Sequence, residues 1–236
     1  MSKLKFVPVS MDSTWGDAAD NVKKIKNIIE DTPTTRNAVF VFPELTLHGF
    51  VLENPGRYAI CSTSIFHKQL SELARSHQCF LIIGGIEKNL ENSDRPFNTT
   101  WVWNSSGKII ARYRKNNLFT QGSPSEKDLY SPGRETVIVD MDGSRVGLAI
   151  CFDIRFPELF KLYEGKTDVV VLPACWVDGP DKENQLRDLS IERAKQTKAT
   201  FVTVNRSGKD KNFSYSGTHY IVNPSGKIIS ETKSKA

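Results

Sequence analysis

Apolar residues along this chain fall into two rhythms, and their alternation predicts a layered α/β fold. Residues 4–9 alternate and then meet a polar break at Asp12, Ser13 and Thr14. Over residues 17–30, Val22, Ile25, Ile28 and Ile29 recur at helical spacing. Residues 38–42 (AVFVF) form an unbroken apolar run closed by Pro43, the pattern of a strand covered on both faces. A second helix is expected over residues 64–77, with Ile65, Leu70, Leu73 and Ala74 on one side, and a strand over 79–86. Segments 98–104 and 108–114 flank Ser105-Ser106-Gly107 and read as a hairpin. After a polar stretch at 120–133, strands are expected at 136–140 and 145–150. Pro157 suits the first turn of a short helix. Residues 168–172 read as a strand and 182–198 as a long helix; strands at 200–205 and 218–223 precede a turn at Pro224-Ser225-Gly226. With no internal repeat or linker, the expectation is a single domain over residues 1–236.

Composition narrows the classes of function. A chain of 236 residues, 39% hydrophobic and 25% charged, can bury a sizeable core without disulfides or a structural metal. No run of eighteen apolar residues occurs, and the first ten residues read directly into a strand, so neither a membrane partner nor a secretory leader is expected. Cys61, Cys79, Cys151 and Cys175 are widely separated with no C-x-x-C, which argues against a disulfide framework or a zinc site and for a cytoplasmic setting. The net charge of +5 is spread among acids. Lys23, Lys24 and Lys26 read as a solvated helix face and Lys233 to Lys235 as a frayed tail, so no nucleic-acid partner is expected.

Candidate chemistry centres on Cys151. In VGLAICFDIRFPELF (146–160) a buried strand ends at Ile150, and Cys151 stands where the chain must turn before the helix at Pro157. Such a turn exposes a nucleophile and leaves backbone N–H groups free for an oxyanion. Position alone is equally satisfied by a small buried hydrophobe at a strand end. A free thiol is mostly protonated at neutral pH and needs a partner. Of four histidines, His67 and His77 fall on or at the end of an amphipathic helix and read as surface residues. A thiol–imidazole pair therefore stays open only through His48 or His219. Glu44, just past the strand AVFVF and its proline, and Lys115, at the end of a hairpin strand, offer another partnership. A carboxylate moves protons, and an ammonium stabilises thiolate and oxyanion.

Three phrases around these residues, FPELTLHGF, YRKNNLF and CFDIRFPE, resemble the signature segments of the nitrilase superfamily, the carbon–nitrogen hydrolases, and they occur in the family's order. The likeness extends to WGDAADNV, SPSEKDLYSPG, VVVLPACW, ERAKQTKATFVTVNRSG and YSGTHYIVNPSGKII, and so to nearly the whole chain. It implies a four-layer α-β-β-α sandwich. It further implies Glu44 as general base and acid, Lys115 as oxyanion stabiliser and Cys151 as nucleophile. Glu126 takes the place of a second glutamate that positions the lysine and substrate, and the Phe152 N–H shares the oxyanion. Cys175 and Trp176 border the pocket, with Cys175 a packing residue. No metal or organic cofactor is implied.

True nitrilases usually carry Trp-Glu after the nucleophile, whereas Phe152-Asp153-Ile154-Arg155-Phe156-Pro157-Glu158 is similar to the amidase side, with its omega-amidase-like and deaminated-glutathione amidase-like members. Asp153, Arg155 and Glu158 read as a charged set that pins the turn. The implied reaction is hydrolysis of a small carboxamide through a thioester. The alternatives are acyl transfer to an amine, hydrolysis of a nitrile or N-carbamoyl compound, and a non-catalytic interaction protein that keeps the fold. A homodimer or higher oligomer is expected through the helices after Cys151 and over 182–198. Two departures from the family pattern stand out: the chain ends soon after Ile229, and Thr218-His219 replaces the usual small polar pair, which predicts an altered pocket. Arg206, near a strand end, is a candidate cation for a substrate carboxylate.

Overall fold

The computed structural model describes residues 4–33, 37–120 and 125–232. Ser123 and Pro124 of the SPSEKDLYSPG phrase and the lysines of the expected tail lie outside these residues. The first half of the chain runs β1 (Lys5–Pro8), α1 (Ala18–Asp31), β2 (Ala38–Val41), α2 (Ile65–Ser76), β3 (Phe80–Glu87), β4 (Phe97–Trp103) and β5 (Ile109–Arg114). These strands form one sheet in sequential order, parallel from β1 to β3 and antiparallel thereafter. The second half runs α3 (Glu126–Leu129), β6 (Val137–Met141), β7 (Ser144–Leu148), α4 (Pro157–Lys161), β8 (Val169–Ala174), α5 (Lys182–Thr197), β9 (Thr200–Asn205), β10 (Ser207–Lys209), β11 (Ser214–Ser216), β12 (His219–Val222) and β13 (Ile228–Thr232). Its main sheet has the order β13-β12-β9-β8-β7-β6, with β7, β8 and β9 parallel, and β10 and β11 make a separate hairpin.

Local chemistry explains the helices. Asp17 caps α1 by accepting from the Asp20 N–H, and Ser64 caps α2 by accepting from the His67 N–H. Val22, Ile25 and Ile29 of α1, with Leu70, Leu73 and Ala74 of α2, then pack on Phe40, Leu81, Ile83 and Trp101 of the first sheet. The other face of that sheet, through Val39, Val41, Phe80, Ile82 and Val102, joins a larger core with Val146, Leu148, Val170 and Leu172. This core continues through the second sheet to Leu159 and Phe160 of α4 and Leu186 and Ala194 of α5. The layers are therefore helix, sheet, sheet, helix, the expected α-β-β-α sandwich.

The structure corrects several details. His67 is not a surface residue: it is 3% exposed and sits edge-on to Trp101 and Trp103, at 4.8 and 5.5 Å. The helix face that carries it is covered because two tryptophans of β4 fill the space beneath. Ile65 leaves the predicted apolar side and is 59% exposed, since it lies five positions before Leu70 and outside the i, i+3, i+4 series. The polar stretch at 120–133 contains α3, at whose start the Ser125 N–H and hydroxyl both donate to Asp128 Oδ2. β10 and β11, three residues each, are too short to show an alternation in sequence. All four cysteines are free thiols.

Candidate active site

Parallel strands deliver their carboxyl ends to one edge of a sheet, and the loops leaving them build the site. After β2 the chain passes Pro43 and turns sharply at Leu45, whose φ is +50°. Leu47 N–H returns to the carbonyl of Gly84 at 3.0 Å, laying the turn flat against β3. A Cβ at Gly84 would lie 2.6 Å from the Leu45 nitrogen, so only glycine permits this approach. The turn sets Glu44, 1% exposed, beneath the second sheet.

Cys151 follows β7 at the first position of a 3-10 turn, Cys151–Arg155, with φ +43°. A non-glycine residue there carries a backbone cost of about 1–3 kcal/mol. Asp153 holds the turn in place. Its fully buried carboxylate accepts from the N–H of Ile150 at 2.9 Å, the N–H and Nδ2 of Asn117 at 2.8 and 2.9 Å, and the Tyr113 hydroxyl at 2.7 Å. Asp153 thus pins the turn as expected.

Lys115 continues β5, its N–H donating to the Asn98 carbonyl and its own carbonyl accepting from Gly133. The side chain, 1% exposed, donates from Nζ to Glu44 Oε1 and to Glu126 Oε2, both at 2.7 Å. Glu126 opens α3 and is wholly buried rather than a solvated loop residue. Its Oε2 also accepts from the Phe119 N–H at 2.8 Å. Asn98 Nδ2 donates to both glutamates at 2.7 Å. From the end of β8, the Cys175 N–H donates to Glu44 Oε2 at 2.8 Å.

Glu44, Lys115, Cys151 and Cys175 share a small cavity of about 40 Å³ with Phe50, Phe119, Phe152, Trp176, Arg155 and Lys182. Trp176 is fixed by Asn205, which accepts from its N–H at 2.7 Å and donates to its carbonyl at 3.0 Å. Phe152 stands edge-on to Phe119 at 5.4 Å. Arg155 donates to Gln185 Oε1 at 2.9 Å and places its guanidinium 4.7 Å from the Trp176 ring centre.

Electrostatics follow from dryness and charge. Burial pushes the Cys151 thiol well above its ordinary pKa; the Glu44 carboxylate adds to this and Lys115 opposes it. Burial alone would depress Lys115, but Glu126 and Glu44 outweigh it and hold the ammonium well above its usual range. Glu126 is raised by burial, with Lys115 pulling it down and Glu44 pushing it up. Cys175 is driven well upward by burial and then by Glu44. Both pocket thiols are therefore protonated at neutral pH, and a base must act for either to attack.

The seven site residues named from sequence, Glu44, Lys115, Glu126, Cys151, Phe152, Cys175 and Trp176, fall in one place. Arg155, read as part of the charged set that pins the turn, also lines the cavity. Arg206 does not: it is 1% exposed and paired with Asp12 at 3.1 Å and Asp210 at 2.9 Å, which neutralise it away from the pocket. Thr218 and His219 are not among the lining residues either; they bond to Glu183 and Ser10. No histidine lines the cavity among the described residues. His48 is buried, accepts from the Ile86 N–H, and has its pKa lowered to about 3 by burial. Sequence reading missed Asn98, Lys182, Phe50 and Phe119. For Asn98 a signal existed, because pairing across the hairpin sets it opposite Lys115.

Residues 8–236 match the carbon-nitrogen hydrolase family, and the chain belongs to it. It is 27% identical over 246 residues to the deaminated glutathione amidase of Dictyostelium discoideum, covering 97% of this chain and 84% of that protein. It is 28% identical over 225 residues to the 2-oxoglutaramate amidase of Bacillus subtilis, covering 94% and 84%. The fold superposes on Saccharomyces cerevisiae Nit3, a member of branch 10 of the nitrilase superfamily, with a TM-score of 0.85 at 23% identity, covering 97% of this chain and 85% of that one.

Proposed function

We propose that this protein hydrolyses the C–N bond of a small carboxamide, with Cys151 as nucleophile, Glu44 as general base and acid, and Lys115 as oxyanion stabiliser. The observation that carries the reading is the 2.7 Å bond between Lys115 Nζ and Glu44 inside the cavity that also holds the Cys151 thiol. Glu44 removes the thiol proton as sulfur attacks the amide carbon. The carbonyl electron pair moves to oxygen, where Lys115 and the Phe152 N–H receive it. Collapse breaks the C–N bond, and Glu44 returns its proton to the leaving amine or ammonia. Water, deprotonated by Glu44, then cleaves the thioester and frees the acid and the thiol. Glu126 holds Lys115 throughout.

Arg155, at the mouth beside Trp176 and Lys182, suits a substrate that carries a carboxylate, and the names of the amidase relatives agree with this. The aromatic walls favour a short aliphatic chain between the two ends. A homo-oligomer in the cytoplasm belongs to the same proposal, and sedimentation of the purified protein decides its assembly.

The test is ammonia release over a panel of omega-amides, N-carbamoyl compounds and nitriles, with and without added amines. Expected is turnover of carboxylate-bearing amides, with free acid as product. Faster turnover of nitriles than of every amide, or an amide product with added amine, would replace this reading by nitrile hydrolysis or acyl transfer. Absence of any acyl adduct on Cys151 would leave the non-catalytic alternative.

A further inference from the structure

One positive charge, on Lys115, stands between two buried carboxylates, so the cluster of Glu44, Lys115 and Glu126 carries an excess negative charge when all three are ionised. Two carboxylates in a water-poor site tend to capture a proton. A protonated Glu44 could not take the proton of Cys151. Something besides Lys115 must favour the ionised pair.

The Cys175 and Phe119 N–H groups each serve one of the carboxylates, whereas Asn98 donates to both. It is 1% exposed, and its Nδ2 donates to Glu44 Oε1 and to Glu126 Oε1, each at 2.7 Å, which uses both hydrogens of the amide. Its carbonyl accepts the Lys115 N–H at 2.8 Å, so one residue fixes all three charged groups. The reversed amide would set Oδ1 against two carboxylate oxygens, acceptable only if both were protonated. The donating orientation is the one that an ionised pair requires. Among the described residues, Asn98 Oδ1 has no hydrogen-bond partner.

We propose that Asn98 is a positioning residue that bridges Glu44 and Glu126 and keeps both as carboxylates, so that Glu44 can accept the Cys151 proton. The inference rests on Glu44 being the base. The other titratable groups facing the pair are Cys151 after β7, Cys175 after β8 and Tyr130 after α3. Burial holds all three neutral, and none supplies a compensating charge. Asp153 is committed to Ile150, Tyr113 and Asn117, while Arg155 and Lys182 stand at the mouth.

The experiment is the pH dependence of Cys151 alkylation by iodoacetamide, read by peptide mass, in the wild type, Asn98→Leu and Asn98→Asp. It requires no knowledge of the substrate. Wild-type alkylation should show an acid limb from the carboxylate pair. Asn98→Leu removes both donors, and Asn98→Asp adds a third acidic group of the same size. In each, the acid limb should move up by about one pH unit or more, roughly a tenfold slower reaction at a fixed pH on that limb. Above the limb, rates should return to within a few-fold of wild type. A merely structural role would slow alkylation equally at all pH values and leave the midpoint in place. An unmoved midpoint in either folded variant overturns the proposal, as does loss of folding in both, judged by circular dichroism. If wild-type Cys151 shows no acid limb, Glu44 is not its base; the functional reading then fails first and takes the bridge with it.

Discussion

Cys175 grips Glu44 at both ends: its N–H donates to Oε2 of the carboxylate at 2.8 Å, and its Sγ to the backbone carbonyl at 3.1 Å. The two residues come from different sheets, so these bonds register one sheet edge against the other at the site. The N–H bond leaves Oε1 for Lys115 and Asn98. Because the donor to the carboxylate is main chain, the Cys175 thiol itself should be expendable. Cys175→Ala should keep activity within about tenfold, since a single neutral hydrogen bond contributes about 0.5–1.5 kcal/mol. Cys151→Ala should abolish turnover while leaving the fold intact. Ammonia release together with thiol counting checks both, and loss of activity in Cys175→Ala equal to that in Cys151→Ala would make the second thiol a chemical participant.

The pH profile should report a protonated nucleophile. The buried Cys151 thiol is held well above its ordinary range, so no thiolate forms at neutral pH and rate depends on the carboxylates. Glu126 is raised by burial, and an acid with a raised pKa keeps its proton to higher pH. Activity that needs the ionised pair is therefore lost, as pH falls, above the ordinary carboxylate value of about 4.3. It should plateau from neutral to mildly alkaline pH. Exposed Cys61 offers an internal contrast: its bond with Thr63 lowers the thiol pKa, and its alkylation should follow simple thiolate formation. A Cys151 profile that tracks Cys61 would show that no base assists it.

Much of this was legible in the chain because strand ends announce themselves. Pro43 after AVFVF and the turn after Ile150 placed Glu44 and Cys151 at sheet edges, and the order of the three phrases tied Lys115 to them. What escaped were residues whose role depends on register or on a distant partner. Asn98 reads as the first residue of a strand until its pairing with Lys115 is known. Arg155 reads as part of a charged set until Trp176, brought by β8 and fixed by Asn205, supplies the face on which it rests. Arg206 failed in the opposite sense, since Asp12 and Asp210 neutralise it and Asp12 is distant in sequence.

Arg155 should govern affinity rather than chemistry. It lines the mouth and touches none of Glu44, Lys115 or Cys151 by hydrogen bond or ion pair. A hydrogen bond to a charged group is worth about 1.5–3 kcal/mol, so Arg155→Ala should raise KM for a carboxylate-bearing amide by roughly 10–100-fold. The kcat should stay within a few-fold, and a neutral amide of the same length should be indifferent to the change. Equal losses on charged and neutral amides would remove Arg155 from substrate recognition.

Lys115 offers the sharpest division between a charge and a placed charge. Its Nζ reaches Glu44 Oε1 and Glu126 Oε2 at 2.7 Å each, in a site where it is 1% exposed. Lys115→Arg keeps the charge but replaces a compact ammonium with a wide planar fork. That fork cannot stand at the single point from which Nζ reaches both carboxylates. Loss of one oxyanion donor costs about 10²–10³ in rate, so kcat should fall by two or more orders of magnitude. The loss should fall on kcat more than KM, because the interaction strengthens as charge develops on oxygen. Steady-state kinetics on the folded variant decides the matter. Activity within a few-fold of wild type would mean that charge alone suffices, and the placement of Lys115 between Glu44 and Glu126 would need another explanation.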